Sequence, residues 1–483
     1  MTRVLIAVLT LFSVLAQTTP AQQTSELQQT AGRLAGSILV GGRSMSYLEE
    51  LTDKFGARLT GSPAYGRAAE WAAAQFRAAG ITNVRLEPFA VDHGWERGLA
   101  RGRIVAPVSR PLHIESLGWT VSTPPSGVRG EVVWVTDISP ERIKAQTDLI
   151  KNRVVLLDLA TILAGGYSAY ARLMASYQLF KDAGARAILW PGSTPGNLHK
   201  ATQPNCGFQV PALPIAQLGM EDANLVRRLI GQGPVTVEFQ YENRVTGPSE
   251  DANVIAEIRG REKPDEWIVV GAHLDAWDYG TGAQDNGAGC AMVLEAARSI
   301  MAVGRPPRRS IRFALWGGEE QCSMGSTAYV RAHTAELGKC IAALNTDNGA
   351  ARPRGWKVEG RADLSQAMRP LGKELLAYLD GDGLSEEVTY DTDHGPFMLE
   401  GVPALDLWVD LQPYEAVHHK SSDTIDKVDR HYLAVGAAIM AVTAYAVAER
   451  AEPIAPRLGR AEVGEILKKA ELEEFLQYLG LWH

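Results

Sequence analysis

Cysteine is scarce in this chain. There are four in 483 residues, at positions 206, 290, 322 and 340, and none stands in a C-x-x-C pair. A thiolate zinc site, whose ligands usually come in such pairs, is therefore not indicated. Four cysteines allow three pairings and sequence does not choose among them; they read as small core residues with room for one bridge. Blocks of basic residues are missing as well. The formal net charge is −8, so a cationic face for nucleic acid or an anionic membrane is not expected. Charged residues make up 22% and hydrophobic residues 46%, a globular composition without a disorder signature. Beyond the N-terminus no stretch reads as long and apolar enough to span a bilayer.

The N-terminus itself has an apolar run. Arg3 gives a positive start, residues 4–16 are apolar, and small residues follow. This pattern fits an export signal, residues 1–21, with cleavage after Ala16 or Ala21. The run is short of the ~20 residues a spanning helix needs, and its flanks suit an uncleaved anchor less well. The mature chain is then secreted or periplasmic, with no membrane span left.

A chain of this length exceeds one ordinary hydrophobic core. Residues 22–44 are polar, then Gly- and Ser-containing, and read as an N-terminal arm. A first segment, 45–124, opens with a helical pattern at Met45. Ser62-Pro63 supplies a capping residue and a first-turn proline, Gly80 a helix stop, and 84–89 alternates as a strand does. Residues 125–245 form a β-rich block with strand patterns at 132–135, 154–157, 187–190 and 235–239 and one helix near 169–183. The segment 210–215 holds two prolines and reads as an edge or connector. This block offers few catalytic groups and suits an inserted domain that shapes or covers a site. Across 246–452 strands and helices alternate, with strands at 267–272, 310–316, 340–344 and 402–409, which implies helices packed on a mostly parallel sheet. Residues 453–483 read as a tail with an amphipathic helix.

The polar residues with chemical promise follow these strands. His273 and Asp275 come directly after the run 267–272, Asp285-Asn286 opens a helix after a Gly-rich turn, Glu319-Glu320 follows 310–316, Asp347 follows 340–344, and His419 follows 402–409. Ligands in open α/β sheets bind beyond the carboxyl ends of the strands, so these residues are expected to converge. Imidazole and carboxylate together suit zinc. Two histidines and three carboxylates exceed one tetrahedral ion and suit two, with one carboxylate bridging. Asp275 is placed to accept the far N–H of His273. Of the adjacent pair Glu319-Glu320, one side chain can hold metal while the other serves as a general base on water. Each residue alone has a plainer reading as a solvated face, a core histidine or a helix cap; joint placement after successive strands sets the group apart.

The motifs His-Leu-Asp-Ala-Trp-Asp (273–278), Gly-Ala-Gln-Asp-Asn-Gly-Ala-Gly (282–289), Trp-Gly-Gly-Glu-Glu-Gln (316–321) and Asn-Thr-Asp (345–347) resemble the co-catalytic zinc aminopeptidase and glutamate carboxypeptidase family. Gly-Ala-Arg-Leu-Thr-Gly-Ser (56–62) and Trp-Glu-Arg-Gly (95–98) resemble one subgroup of it. The likeness covers about residues 45–450. It implies an α/β/α sandwich with a mixed, mostly parallel sheet and an inserted protease-associated-like domain. It implies two zinc ions: one on His273 and Asp347, one on Glu320 and His419, with Asp285 bridging and its bond to Asn286 cis. His419 is preferred to His418 because the last ligand stands four residues before an Asp-Thr pair, here Asp423-Thr424. Glu319 becomes the general base, Asp275 orients His273, and Asp393 falls at a substrate-side position. Asn286 replaces an Asp of the subgroup, and the segment after about 455 has no counterpart. The implied activity is hydrolysis of dipeptides or short peptides with free termini by a homodimer. Its rivals are an aminopeptidase acting on longer chains, a glutaminyl cyclase on a similar core, and a non-enzymatic module of the transferrin-receptor type, which would have lost its ligands.

Overall fold

The computed structural model describes the backbone of residues 20–483 and the side chains of residues 26–483. The export signal expected at 1–21 lies, apart from its last two residues, outside the described residues.

The central element is an eight-stranded mixed sheet. In order across the sheet its strands are Asn83–Val91, Ser249–Ile258, Arg309–Trp316, Lys263–His273, Cys340–Asn345, Ala404–Val409, Pro353–Lys357 and Gly383–Ser385. The four middle strands run parallel. Antiparallel pairs flank them. Side chains alternate faces along a strand, and here both faces are apolar. Ile268, Val270 and Ala272 join one core, while Trp267 and Val269 join the opposite one. Ile311, Phe313 and Leu315 repeat the first pattern, Ala314 and Trp316 the second. The helices Pro63–Ala78, Ala288–Ala302 and Arg430–Glu449 pack on the first face, and Met324–Ala332 and Gly395–Leu399 on the second. This is the mixed α/β sandwich expected from the alternating strand and helix patterns.

Several local expectations are corrected. Residues read as a polar arm belong to a 22-residue helix, Pro20–Gly41. Ala31, Leu34, Ala35 and Ile38 form a stripe at helical spacing that is buried in the main core. Small alanines among polar residues made that stripe faint in sequence. The reading that no stretch beyond the N-terminus matches a membrane span is corrected by Arg430–Glu449, 20 residues with a mean hydropathy of 1.6. Its apolar window is 83% buried; a helix enclosed on all sides needs the same composition as a spanning one. The tail is not one helix but two, Arg460–Lys469 and Glu473–Tyr478, separated where Glu471 takes φ 58°.

A second eight-stranded sheet is built from Arg110–Leu112, Ala100–Ala106, Thr236–Tyr241, Val128–Val135, Val154–Leu157, Ala187–Pro191, Ile215–Leu218 and Ile114–Ser116, in that order. The strands at 100–116 went unread because they are short and rich in Arg, with little apolar alternation to signal them. In the proline-containing segment, 210–214 is the connector, and pairing begins at Ile215 with partners on both sides. Two features tie this body to the central sheet. Cys206 and Cys322 form a disulfide, leaving Cys290 and Cys340 free and buried. The tail residues Leu467, Phe475 and Leu476 pack in one cluster with Ala171 and Met174 of the second body and Met398 and Ala404 of the first.

The docked N-terminal helix gives a direct test. Leu34 is fully buried, so Leu34→Ala should lower unfolding free energy by about 3 kcal/mol, read by denaturant titration. A loss below about 0.5 kcal/mol would show that this helix is not part of the core.

Candidate metal centre

The parallel strands end at a common edge, and the titratable residues stand there. His273 is the last residue of its strand; Glu319 and Glu320 follow the strand ending at Trp316; Asp347 follows the strand ending at Asn345. His418 and His419 follow the short helix Gln412–Val417, and Asp285 lies just before the helix Ala288–Ala302. All five expected ligands meet. His273 Nε2 is 2.8 Å from Asp347 Oδ1 and 3.2 Å from Asp285 Oδ1. His419 Nε2 is 3.2 Å from Asp285 Oδ2 and 2.9 Å from Glu320 Oε2. Asp285 thus presents a separate oxygen to each imidazole.

These spacings suit cations. Donors 2.0–2.1 Å from a tetrahedral zinc lie about 3.3 Å from one another. Asp285 Oδ2 and Glu320 Oε1 are buried without a well-aligned hydrogen bond among the described residues, a costly arrangement unless a cation satisfies them. Among the described residues two triads fall within ligand range: His273, Asp285 and Asp347, and Asp285, His418 and His419. The second differs from the expected set, which has Glu320 in place of His418. The distances favour Glu320: its oxygen is 2.9 Å from His419 Nε2, whereas His418 Nε2 is 3.8 Å from Asp285. His418 also turns its Nδ1 to the Lys200 ammonium at 3.2 Å.

Burial, and then Asp347, pushes the Glu319 carboxyl well above the ordinary carboxylate range. Burial, and then Asp285, pushes Glu320 to about 7. Burial, the largest single influence, works against charge on the imidazoles, but the acidic neighbours together outweigh it: Asp347, Asp275 and Asp285 raise His273, and Glu320 and Asp285 raise His419 to about 10. Dications among these groups would reverse the balance, favouring carboxylate and neutral imidazole. The tautomers already fit: His273 Nδ1–H donates to Asp275 O at 3.0 Å and His419 Nδ1–H to Ala201 O at 3.0 Å, so each Nε2 lone pair faces the cluster.

The surrounding loops are stapled by buried polar side chains. Asp275 lies 3.6 Å from His273 through Oδ1, and its two oxygens accept from Glu319 N and Glu320 N, both at 3.3 Å. Its carboxylate therefore shapes the Glu319-Glu320 turn, while its carbonyl takes the imidazole N–H expected of the carboxylate. Arg58 donates to the carbonyls of Leu274, Gly56, Thr281 and Gly282. Thr60 Oγ1 accepts from Gly318 N at 2.8 Å. Asp423 accepts from Gln284 N and Asp285 N. Gly282 has φ 61° and packs where a Cβ would strike Ala276, so the turn into Asp285 needs glycine. The Asp285–Asn286 bond is cis. Asn286 donates to Thr346 O and accepts from Gly289 N, using both ends of an amide. Asp393 is enclosed, at 1% exposure, and accepts from Ser326 Oγ at 2.5 Å; it stands beside the cluster rather than on an open wall. Arg58, Thr60 and the Ala201 carbonyl were not picked out as functional from sequence. The first two lie inside the 56–62 motif, whose pattern was visible without its purpose; a main-chain carbonyl leaves no signal.

Comparison with known proteins gives the family. The model of Peptidase family M28 matches residues 253–444. Carboxypeptidase Q of Rattus norvegicus is 31% identical over 415 residues, spanning 85% of this chain and 86% of that protein. Leucine aminopeptidase 2 of Trichophyton rubrum is 25% identical over 442 residues, spanning 84% and 83%. The crystal structure of a Peptidase M28 precursor from Shewanella amazonensis SB2B superposes with a TM-score of 0.79 at 27% identity, covering 90% of this chain and 100% of that one. The fold and these relatives define a metallopeptidase of the α/β class. The chain belongs to Peptidase family M28.

The Arg58 staple predicts a large effect away from the cluster. Arg58→Met leaves four main-chain carbonyls short of donors, those of Leu274 and Gly282 buried, and should destabilise the protein by about 3 kcal/mol. Thermal or denaturant unfolding within about 1 kcal/mol of wild type would refute the staple.

Proposed function

We propose that this peptidase is an exported di-zinc exopeptidase that hydrolyses dipeptides or short peptides with free termini. The observation that carries the reading is the placement of Asp285, one oxygen on His273 and the other on His419, each 3.2 Å away. His273 and Asp347 would hold one zinc, Glu320 and His419 the other, and Asp285 both. When bound, the pair would make water a nucleophile near neutral pH and polarise the scissile carbonyl.

The chain's own groups do the rest. Glu319 Oε2 stands 3.9 Å from His273 Nε2, farther than Asp347 or Asp285, and is left to act on water. It takes the proton of the attacking water and passes it to the leaving amine, the role open to a free carboxylate beside a cation-activated water. Asp275 orients His273 and the Glu319-Glu320 turn. The second sheet is read as the inserted protease-associated-like domain; its Ala201 carbonyl orients His419 and so completes the centre. The Cys206–Cys322 disulfide fits an oxidising compartment, supporting export. The homodimer rests on the resemblance to the carboxypeptidase Q group. Action on longer peptides is the second reading, favoured by the likeness to leucine aminopeptidase 2.

Glu319→Gln should keep zinc and lose about 10²- to 10⁴-fold in dipeptide turnover. Near-normal turnover by that variant would remove Glu319 as the base. Metal analysis of the purified protein should find two zinc ions per chain, with activity lost on chelation and restored by zinc; a single ion at full activity would refute the paired centre.

A further inference from the structure

Dipeptide hydrolysis needs a device that recognises the end of the substrate, and Lys200 has the position for it. Lys200 belongs to the connection between the strands Ala187–Pro191 and Ile215–Leu218 of the second sheet. Its main chain is clamped: Lys200 N donates to Gln217 Oε1 and Gln217 Nε2 donates to Lys200 O, both at 3.1 Å. Gln217 is itself buried. The next residue joins the centre directly, since Ala201 N donates to His419 O at 2.7 Å and His419 Nδ1 donates to Ala201 O at 3.0 Å. The base of the lysine side chain is thus fixed beside His419.

Its ammonium is held and yet available. It donates to His418 Nδ1 at 3.2 Å, and the far nitrogen of that ring is 3.8 Å from Asp285 Oδ2. Lys200 has no ion-pair partner among the described residues, and a neutral imidazole is a weaker acceptor than a carboxylate. Neighbouring cations are engaged: Arg58 with main-chain carbonyls, and Lys420 with the carbonyls of Glu415 and Ala416. Exposure differs across the centre. The side chain of His273 is 1% exposed and that of Asp347 11%, against 22% for His418 and 20% for His419. Lys200 contacts the more exposed histidine pair of the centre, through His418.

We propose that Lys200 anchors the free C-terminal carboxylate of the substrate and so limits the leaving side to a single residue. One residue spans at most ~3.5 Å, which is how far the carboxylate of a dipeptide lies beyond the scissile carbonyl. An ammonium one imidazole away from the bridging carboxylate meets it there. In a longer peptide a neutral peptide group takes that place, and the ammonium gains no anion. This inference rests on the exopeptidase reading above.

The test compares a dipeptide with its C-terminal amide, using wild type, Lys200→Gln and Lys200→Arg, with zinc content measured for each. Wild type should prefer the free acid. Lys200→Gln should raise KM for the acid about 10- to 100-fold, with a smaller change in kcat, and bring the acid-to-amide preference towards one. Lys200→Arg should retain most of the preference. Calorimetric binding of both ligands to zinc-loaded Glu319→Gln, with and without Lys200→Gln, should show the same loss for the acid. An unaltered preference in Lys200→Gln, or equal losses for acid and amide, would overturn the anchor and mark the lysine as structural. Failure of zinc-loaded wild type to cleave any dipeptide would overturn the exopeptidase reading and the anchor with it.

Discussion

Crowding of buried negative charge is the constraint around which this structure is arranged. Asp285, Glu319, Glu320 and Asp347 converge on two imidazoles at one edge of the sheet. Ionised carboxylates out of water are costly unless cations or donors face them. Arg58, the buried guanidinium nearby, is spent on main-chain carbonyls and leaves the carboxylates to one another. The two imidazoles face them, and cations held by the cluster would complete the compensation. That requirement explains why so much of the fold is devoted to holding these groups still. Asp275 fixes the Glu319-Glu320 turn, Asp423 fixes the amides of Gln284 and Asp285, and Thr60 ties down Gly318.

Neither sheet completes the site alone. The central sheet supplies every carboxylate of the cluster from the ends of parallel strands or the turns beyond them. The second body supplies the carbonyl that sets the His419 tautomer and, through Cys206, a covalent tie to Cys322, two residues beyond Glu320. The tail helices wedge between the two bodies with a shared apolar cluster. A site assembled across two bodies can set the length of its substrate by what the second one places at the mouth.

Much of the centre was legible because its residues are tied to recognisable local patterns. An apolar run such as 267–272 marks a strand buried on both faces, and a His directly after it must stand at the strand's end. Glu320 and Asp347 follow the same logic just beyond their own strands, Asp285 stands at the entry to a helix, and His419 follows a short helix. Arg58 was harder to read: a buried arginine with main-chain partners looks, in sequence, like any surface arginine. The helix Pro20–Gly41 hid its buried stripe among alanines, and Arg430–Glu449 has the composition of a membrane span because complete burial imposes the same demand.

Sequence by itself determined the α/β alternation, the strands that carry the titratable residues, and the set of side chains able to bind metal, since each depends on periodicity and residue type within a short window. Tertiary structure alone decided that Cys206 pairs with Cys322, that the His418 ring turns to the Lys200 ammonium, and that the Ala201 carbonyl meets His419. Those outcomes depend on distances between residues more than a hundred positions apart or on the direction of one ring. Such distances are set by how the two bodies pack, and no local pattern records them.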